Sequence, residues 1–338
     1  MNWGFFATTV IIYVVTSLIA AWGLDLQFGS TGVLNFSFII FVAAGAYTAA
    51  ILTLGSPSGP GNVAQQQYFG GATLPFPLPW IGAMVVGGIL GLLVGLVALK
   101  RLRGDYEAIV MLVVSLMALY IVLSDVGFLN GASGLALIPS PLQSGGNLTG
   151  GTGYGWFYSG LTVVVGVIVG FVMHRLMESP LGRALRAVRE NERAAEAMGR
   201  NTAALRLLVF ALGGSLGALS GAILVGFINA WSPGAWGFAE TFLLFAAVIV
   251  GGQGNLVGVA VGAFIIFGLI IQGVLFLPQI GGDSALTECL QWITAGLLIL
   301  LSMWLRPQGI IPERRRRLSR WIAPARRKRN GSGLLRWR

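Results

Sequence analysis

The stretch "SPLGRALRAVRENERAAEAMGRNTAALR" (179–206) carries six arginines and three glutamates. The run before it, "FYSGLTVVVGVIVGFVMHRLM" (157–177), is almost purely apolar, and so is the run after it, 206–230. That contrast decides the fold. Across 338 residues the chain is 55% hydrophobic and only 10% charged, with mean hydropathy +0.80. A helix crosses a bilayer with roughly 20 apolar residues at about 1.5 Å each. Runs of that kind recur at 5–23, 33–54, 80–98, 106–129, 157–177, 206–230, 240–253, 256–276 and 286–305. They predict an all-α, polytopic membrane protein of about nine transmembrane helices, within a range of about eight to ten. The stretch 240–276 is too long for one span, and "GGQGN" (251–255) interrupts it. It and 33–54 are expected to be broken or re-entrant.

Composition excludes several chemistries. Cys289 is the single cysteine, so no intrachain disulfide and no cysteine-rich metal site can form. His174 is the single histidine, which rules out a histidine metal cluster. No Lys or Arg precedes the first apolar run, so it reads as a span and not as a cleaved signal peptide. Glycine is 50 of 338 residues, about twice the usual ~7%. Small residues let membrane helices approach closely, so tight helix packing is expected.

The 22 basic residues fall in three stretches: Lys100 to Arg103, Arg175 to Arg206, and Arg306 onward. Loops 55–79 and 130–156 hold no charge at all. The positive-inside rule places the basic stretches in the cytoplasm and the neutral loops outside. The N-terminus then lies outside, 24–32 turns inside, and the C-terminus is cytoplasmic. The tail 313–338 is strongly basic. Directly after a span, such a tail is expected to meet anionic lipid headgroups, and nucleic acid is not an expected partner. Gly331, Ser332 and Gly333 suggest a partly disordered end.

Within 179–206, Ser179 followed by Pro180 reads as a helix start. Leu181, Leu185 and Val188 form an apolar stripe at helical spacing. Arg186 with Glu190, and Glu196 with Arg200, stand four apart and can pair. Ala194, Ala195, Ala197 and Met198 make a small patch, Gly199 breaks the helix, and Asn201–Thr202 restart it. The expectation is one short amphipathic helix between two spans. Such a helix can rest on lipid or dock in a protein groove. The stripe has neither Trp nor Phe, and the small patch has an ion-paired rim, which favours docking.

This segment resembles the cytoplasmic loop of LivM-type permeases in the branched-chain amino-acid ABC transporter family. Other stretches resemble that family in order: "GVLNFSFIIFVAAGAYTAA" (32–50), "RLRGDYEAIVMLVVS" (101–115), "VIVGGQGNLVGVAVGAF" (248–264) and "WLRPQGII" (304–311). The likeness covers about residues 23–311. It implies a permease domain, 1–312, with a coupling loop at 178–205 that contacts an ATPase. The residues expected to couple are Arg186, Glu192, Ala195, Glu196 and Gly199. The broader importer pattern reads Glu-Ala-Ala, three residues, Gly. Here Arg193 stands where that Glu would be, which puts the ion-pair geometry at the ATPase in question. The resemblance also implies a LivH-like second permease, two ATP-binding subunits and an extracytoplasmic solute-binding protein, in a bacterial inner membrane. ATP and Mg would act on the partner ATPases, with no cofactor bound by this chain.

Polar groups interrupt two apolar segments. Asn35 and Ser37 lie in "NFS" (35–37), and Gln253 and Asn255 lie in "GGQGN". Broken helices and polar side chains at depth are tolerated where they line a cavity or meet protein. These four are the candidate substrate-pathway residues. The alternative is that their amides cap helix ends. "GSTGVLNFS" (29–37) and "GGQGNLVG" (251–258) share a loose glycine-rich opening that an inverted repeat would explain. Tyr47, Thr48, Asp125, Asn130, Ser133, Asn229, Trp231 and Glu240 are further polar or aromatic positions of interest. Asp125, late in a span, is the most expensive by location. Asp105 and Glu107 are expected to pair with Arg101 and Arg103. The family often carries an acid in the loop after this span. "NGASGLALIP" (130–139) has none, which leaves room for a different substrate.

Rival readings fail on placement. "GASG" (131–134) matches the motif of rhomboid-like intramembrane proteases, but Ser133 and His174 fall at opposite ends of neighbouring spans, across a core of roughly 30 Å. An ion-coupled secondary transporter needs ionisable groups at mid-membrane, and few acids here are that deep. No Walker motif occurs. The solute is expected to be a branched-chain amino acid or similar small polar molecule, with urea and amides, or aromatic and dicarboxylic acids, as alternatives.

Overall fold

The computed structural model describes residues 3–59, 65–98, 104–142, 151–274, 284–306 and 308–312. Lys100, Arg101, Arg103 and the basic tail 313–338 lie outside the described residues. The described chain is helical, with two isolated bridges, Tyr68–Leu129 and Leu135–Trp231, and no strand. The helices are α1 (Trp3–Thr31), α2 (Ile39–Leu54), α3 (Leu78–Ala98), α4 (Gly104–Ser124), α5 (Val126–Leu129), α6 (Gly151–Glu178), α7 (Pro180–Glu190), α8 (Glu192–Ala197), α9 (Thr202–Ile228), α10 (Phe238–Gly251), α11 (Leu256–Ala263), α12 (Gln272–Val274) and α13 (Ser284–Leu305). Wider π turns over Phe264–Ile271 join α11 to α12. Among the described residues, six helices are long and apolar enough to cross a membrane, and 39–54 and 256–271 are shorter apolar helices.

α9 is the centre of the bundle, packed by α3, α2 and α1. Its face is lined with small residues because neighbouring backbones run against it. A methyl group added at Gly221 would collide with the backbone of Val42 on α2, and one at Gly45 with Ala218 on α9. Without a hydrophobic drive between helices in lipid, this close van der Waals approach is what holds them. Large apolar side chains point outward instead: Ile89 and Leu93 on α3, Ile109 and Val113 on α4, Val167 and Phe171 on α6. An outer face this apolar is suited to lipid or to another membrane subunit.

The structure corrects two expectations, at 24–32 and 106–129, and bears out two, the interruptions of 33–54 and 240–276. The turn expected at 24–32 is helix: α1 continues to Thr31, because its polar residues Asp25 and Gln27 find partners inside the chain. The run 106–129 is two helices, since Asp125 leaves the helical conformation and accepts the N–H of Gly127 to start α5. The run 33–54 is helical only from Ile39. The run 240–276 folds as a hairpin, α10 against α11, turning at Gly252–Asn255. Gly252 and Gly254 have φ of 120° and 77° there, a region that favours glycine.

Candidate functional site

The charged loop is two helices, not one. α7 starts as the sequence suggests, with Ser179 accepting from Gly182 N–H and Pro180 in the first turn. It stops at Asn191, whose extended backbone and side chain restart the chain as α8 by accepting from Ala194 N–H at 3.0 Å. Competition by an Asn side chain for backbone N–H groups is the physical reason for the break. Gly199, at φ 77°, ends α8, and Asn201 caps α9 through Ala204 N–H.

The apolar stripe of α7 faces the protein. Leu185 and Val188 are buried and Leu181 is half-buried, with α7 packed on α1 and α6. A helix whose apolar face is already covered has little left to insert into lipid. Arg186 lies back on the preceding helix, donating to the carbonyls of Met177 at 2.9 Å and Gly182 at 3.3 Å. Arg189 donates to the carbonyl of Gly29 on α1. α7 is thereby fixed to the bundle.

α8 is tied down from below and open above. Glu192 pairs with Arg206 on α9 at 2.9 Å. Glu196, expected to pair with Arg200, instead accepts from the Thr202 hydroxyl at 2.8 Å, because Gly199 turns the chain so that Thr202 reaches its carboxylate. Ala195 is 1% exposed and packs inward. The outward surface is Arg193, Ala194, Ala197, Met198, Gly199 and Arg200, all exposed, with Met198 at 72%. It forms a small knob with one large apolar side chain, Met198, at its tip.

The four polar candidates form two separate clusters, on either side of the last turns of α1. Asn35 donates to Gln27 Oε1 at 2.8 Å, and its own Oδ1 accepts from Ser37 N–H at 3.0 Å and from the Ser37 hydroxyl at 2.6 Å. The Ser37 hydroxyl also lies 3.7 Å from Met111 Sδ on α4. Asn35, Ser37 and Gln27 are all fully buried, and Gln27 Nε2 has no acceptor. Gln253 is exposed at the tip of the α10–α11 hairpin. Asn255 caps α11 through Val257 and Gly258 N–H, and its Nδ2 donates to the carbonyls of Ile311 and Pro312. Those carbonyls follow Arg306, so this break lies at the charged end of the bundle and not at mid-depth. Asp25, 1% exposed, accepts from Gly254 N–H at 2.8 Å, and Trp22 Nε1 donates to Leu256 O at 3.0 Å.

Sequence reasoning passed over Asp25 and Gln27. The signal was present: Asp25 is the only acid before Asp105. Its place within 24–32 predicts a turn instead. Two of the other positions singled out hold loops. Asn229 and Asn130, both with positive φ, hold the loops at the uncharged end through Ile138 O and Gly134 O. His174 faces Glu178 at 3.6 Å on its own helix, while Ser133 is exposed in the loop after α5. At that uncharged end a cavity of about 280 Å³ is lined by residues including Thr53, Thr73, Trp80, Ser140 and Val225.

Comparison with known proteins agrees with this architecture. The family described as branched-chain amino acid transport system, permease component, matches residues 6–303. The chain is 28% identical over 329 residues to a probable branched-chain amino acid transport permease protein LivM of Methanocaldococcus jannaschii, covering 90% of this chain and 91% of the relative. It is 28% identical over 332 residues to the high-affinity branched-chain amino acid transport system permease protein LivM of Escherichia coli, covering 92% and 70%. A xylose transport system permease protein XylH of Haemophilus influenzae is 33% identical over 151 residues, covering 43% and 37%. No solved structure matches.

Proposed function

Because this chain belongs to the family of branched-chain amino acid transport permease components, we propose that it is the membrane permease subunit of an ATP-binding cassette importer for a branched-chain amino acid or similar small polar solute. The observation that carries the reading is the α7–α8 element. It is clamped to the bundle by Leu185, Arg186 and Arg189, and it presents an uncovered knob at Met198. Its occupant is an ATP-binding subunit, with two such subunits serving this chain and a LivH-like second permease. ATP and Mg are used there, and an external binding protein delivers the solute. In this reading the charged end faces the cytoplasm, which the positive-inside rule favours, and the chain lies in a bacterial inner membrane with its N-terminus outside and its tail near anionic lipid.

In this reading the cavity near Thr53 and Ser140 faces the side from which solute arrives. Asn35 and Ser37 shape the wall of the path from within, and Gln253 and Asn255 border its inner mouth. An amino acid is favoured over a sugar because likeness to LivM spans 90% of the chain, against 43% for the xylose permease. Co-expression with the partner genes and affinity purification tests the assembly. A second permease and two ATPase copies should elute with this chain, and a chain that elutes alone contradicts the proposal.

A further inference from the structure

Three charged groups, on α8, α9 and α4, act on one another electrostatically. Arg206 Nη2 holds Glu192 at 2.9 Å, but Arg206 Nε is buried with no acceptor. Glu107, in the first turns of α4, is 7% exposed, and its Oε1 is buried with no donor. Glu107 interacts electrostatically with both Arg206 and Glu192, yet among the described residues no hydrogen bond or ion pair closes to its Oε1. A buried carboxylate without a bonded partner is costly. A guanidinium has five donors and can serve two carboxylates. The cation therefore has one occupied partner, on the docking loop, and acts on a second carboxylate, on a membrane span, that it does not bond.

The face of α4 that carries Glu107 continues inward. Met111 and Ser115 follow at helical spacing, are 0% and 2% exposed, and Met111 meets the Ser37 hydroxyl. Contacts thus run from α8 to Arg206, and from Met111 on α4 to the buried Asn35 cluster, with one open step between Arg206 and Glu107. We propose that Arg206 is a shared cation that passes from Glu192 to Glu107 when α8 is displaced, transmitting movement of the docking loop to α4 and the Asn35 loop. Glu107 is then a positioning residue for coupling; the pairing with Arg101 or Arg103 expected from sequence falls on residues outside those described. The inference rests on the reading of α8 as the ATPase-docking element.

The test is ATP hydrolysis by the purified, assembled transporter in nanodiscs, with Mg-ATP as the only probe. Glu107→Gln removes the empty partner and locks Arg206 on Glu192, so hydrolysis should fall, by roughly threefold. Glu192→Gln frees Arg206 for Glu107, so hydrolysis should rise by a similar factor. A purely structural role moves both variants down together. Both variants falling, or Glu107→Gln leaving the rate unchanged, overturns the relay. If Glu107→Gln does not assemble, Glu192→Gln decides alone: a rate that fails to rise overturns it. Met198→Glu separates the underlying reading. If it leaves hydrolysis unchanged, α8 is not the docking element and the relay falls with it. If it abolishes hydrolysis while the two carboxylate variants move together, only the relay fails.

Discussion

The carboxylate of Asp25 and the amide N–H of Gly254 meet at 2.8 Å, 229 positions apart in sequence, with Asp25 1% exposed. This bond fastens the tip of the α10–α11 hairpin to the last turns of α1. It explains how an acid is kept inside so apolar a bundle: it serves a backbone donor that the tight turn at Gly252–Asn255 leaves over. Asp25→Leu should lower the stability of the purified protein by about 1–3 kcal/mol. Asp25→Asn, which keeps an acceptor, should lose less. The check is the thermal midpoint of each variant in detergent, and equal losses for both would show that the bond to Gly254 does not matter.

Asn35 and Gln253 should respond in opposite ways. Asn35→Leu strips Gln27 Oε1 and Ser37 N–H of their partner in a fully buried place, at about 2 kcal/mol or more. Gln253 is exposed, so Gln253→Leu should change stability by under about 0.5 kcal/mol while altering uptake if it borders the mouth. Monodisperse yield and uptake, measured for both variants, separate wall from mouth. Normal yield of Asn35→Leu would contradict the buried network.

Orientation is tested by labelling single cysteines in a Cys289→Ser background. Ala132→Cys, exposed in the loop after α5, should react with an impermeant maleimide added to intact cells. Glu190→Cys and Gln253→Cys should react only after the membrane is opened. Labelling of position 190 from outside would invert the charge-based topology.

Much of this fold was legible in the sequence, and each miss has a physical cause. Apolar runs find spans because desolvation is local and additive along a helix. Ser179, Gly199 and Asn201 were readable as punctuation for the same reason, since caps act within one turn. Asn191 was missed because its capping side chain competes within a pattern that otherwise reads as continuous helix. Asp25 and Gln27 looked like a turn because their partners, Gly254 and Asn35, are supplied by tertiary folding. Glu196 was paired with Arg200 on helical spacing, a spacing that the turn at Gly199 breaks. For the candidate pathway residues, sequence located polar interruptions correctly but not their depth. Asn35 and Ser37 close on each other inside the chain, and Gln253 and Asn255 lie at the bundle's charged end.

The central claim, that α8 is the surface through which an ATPase drives this permease, is met most directly at Met198. Met198 is 72% exposed, so Met198→Glu should leave insertion and thermal stability within about 0.5 kcal/mol of the wild type. The measurement is ATP hydrolysis per purified transporter in nanodiscs, with the ATPase subunits quantified in the same sample. The account predicts loss of bound ATPase and of hydrolysis together. Full retention of both in the Met198→Glu transporter would contradict it.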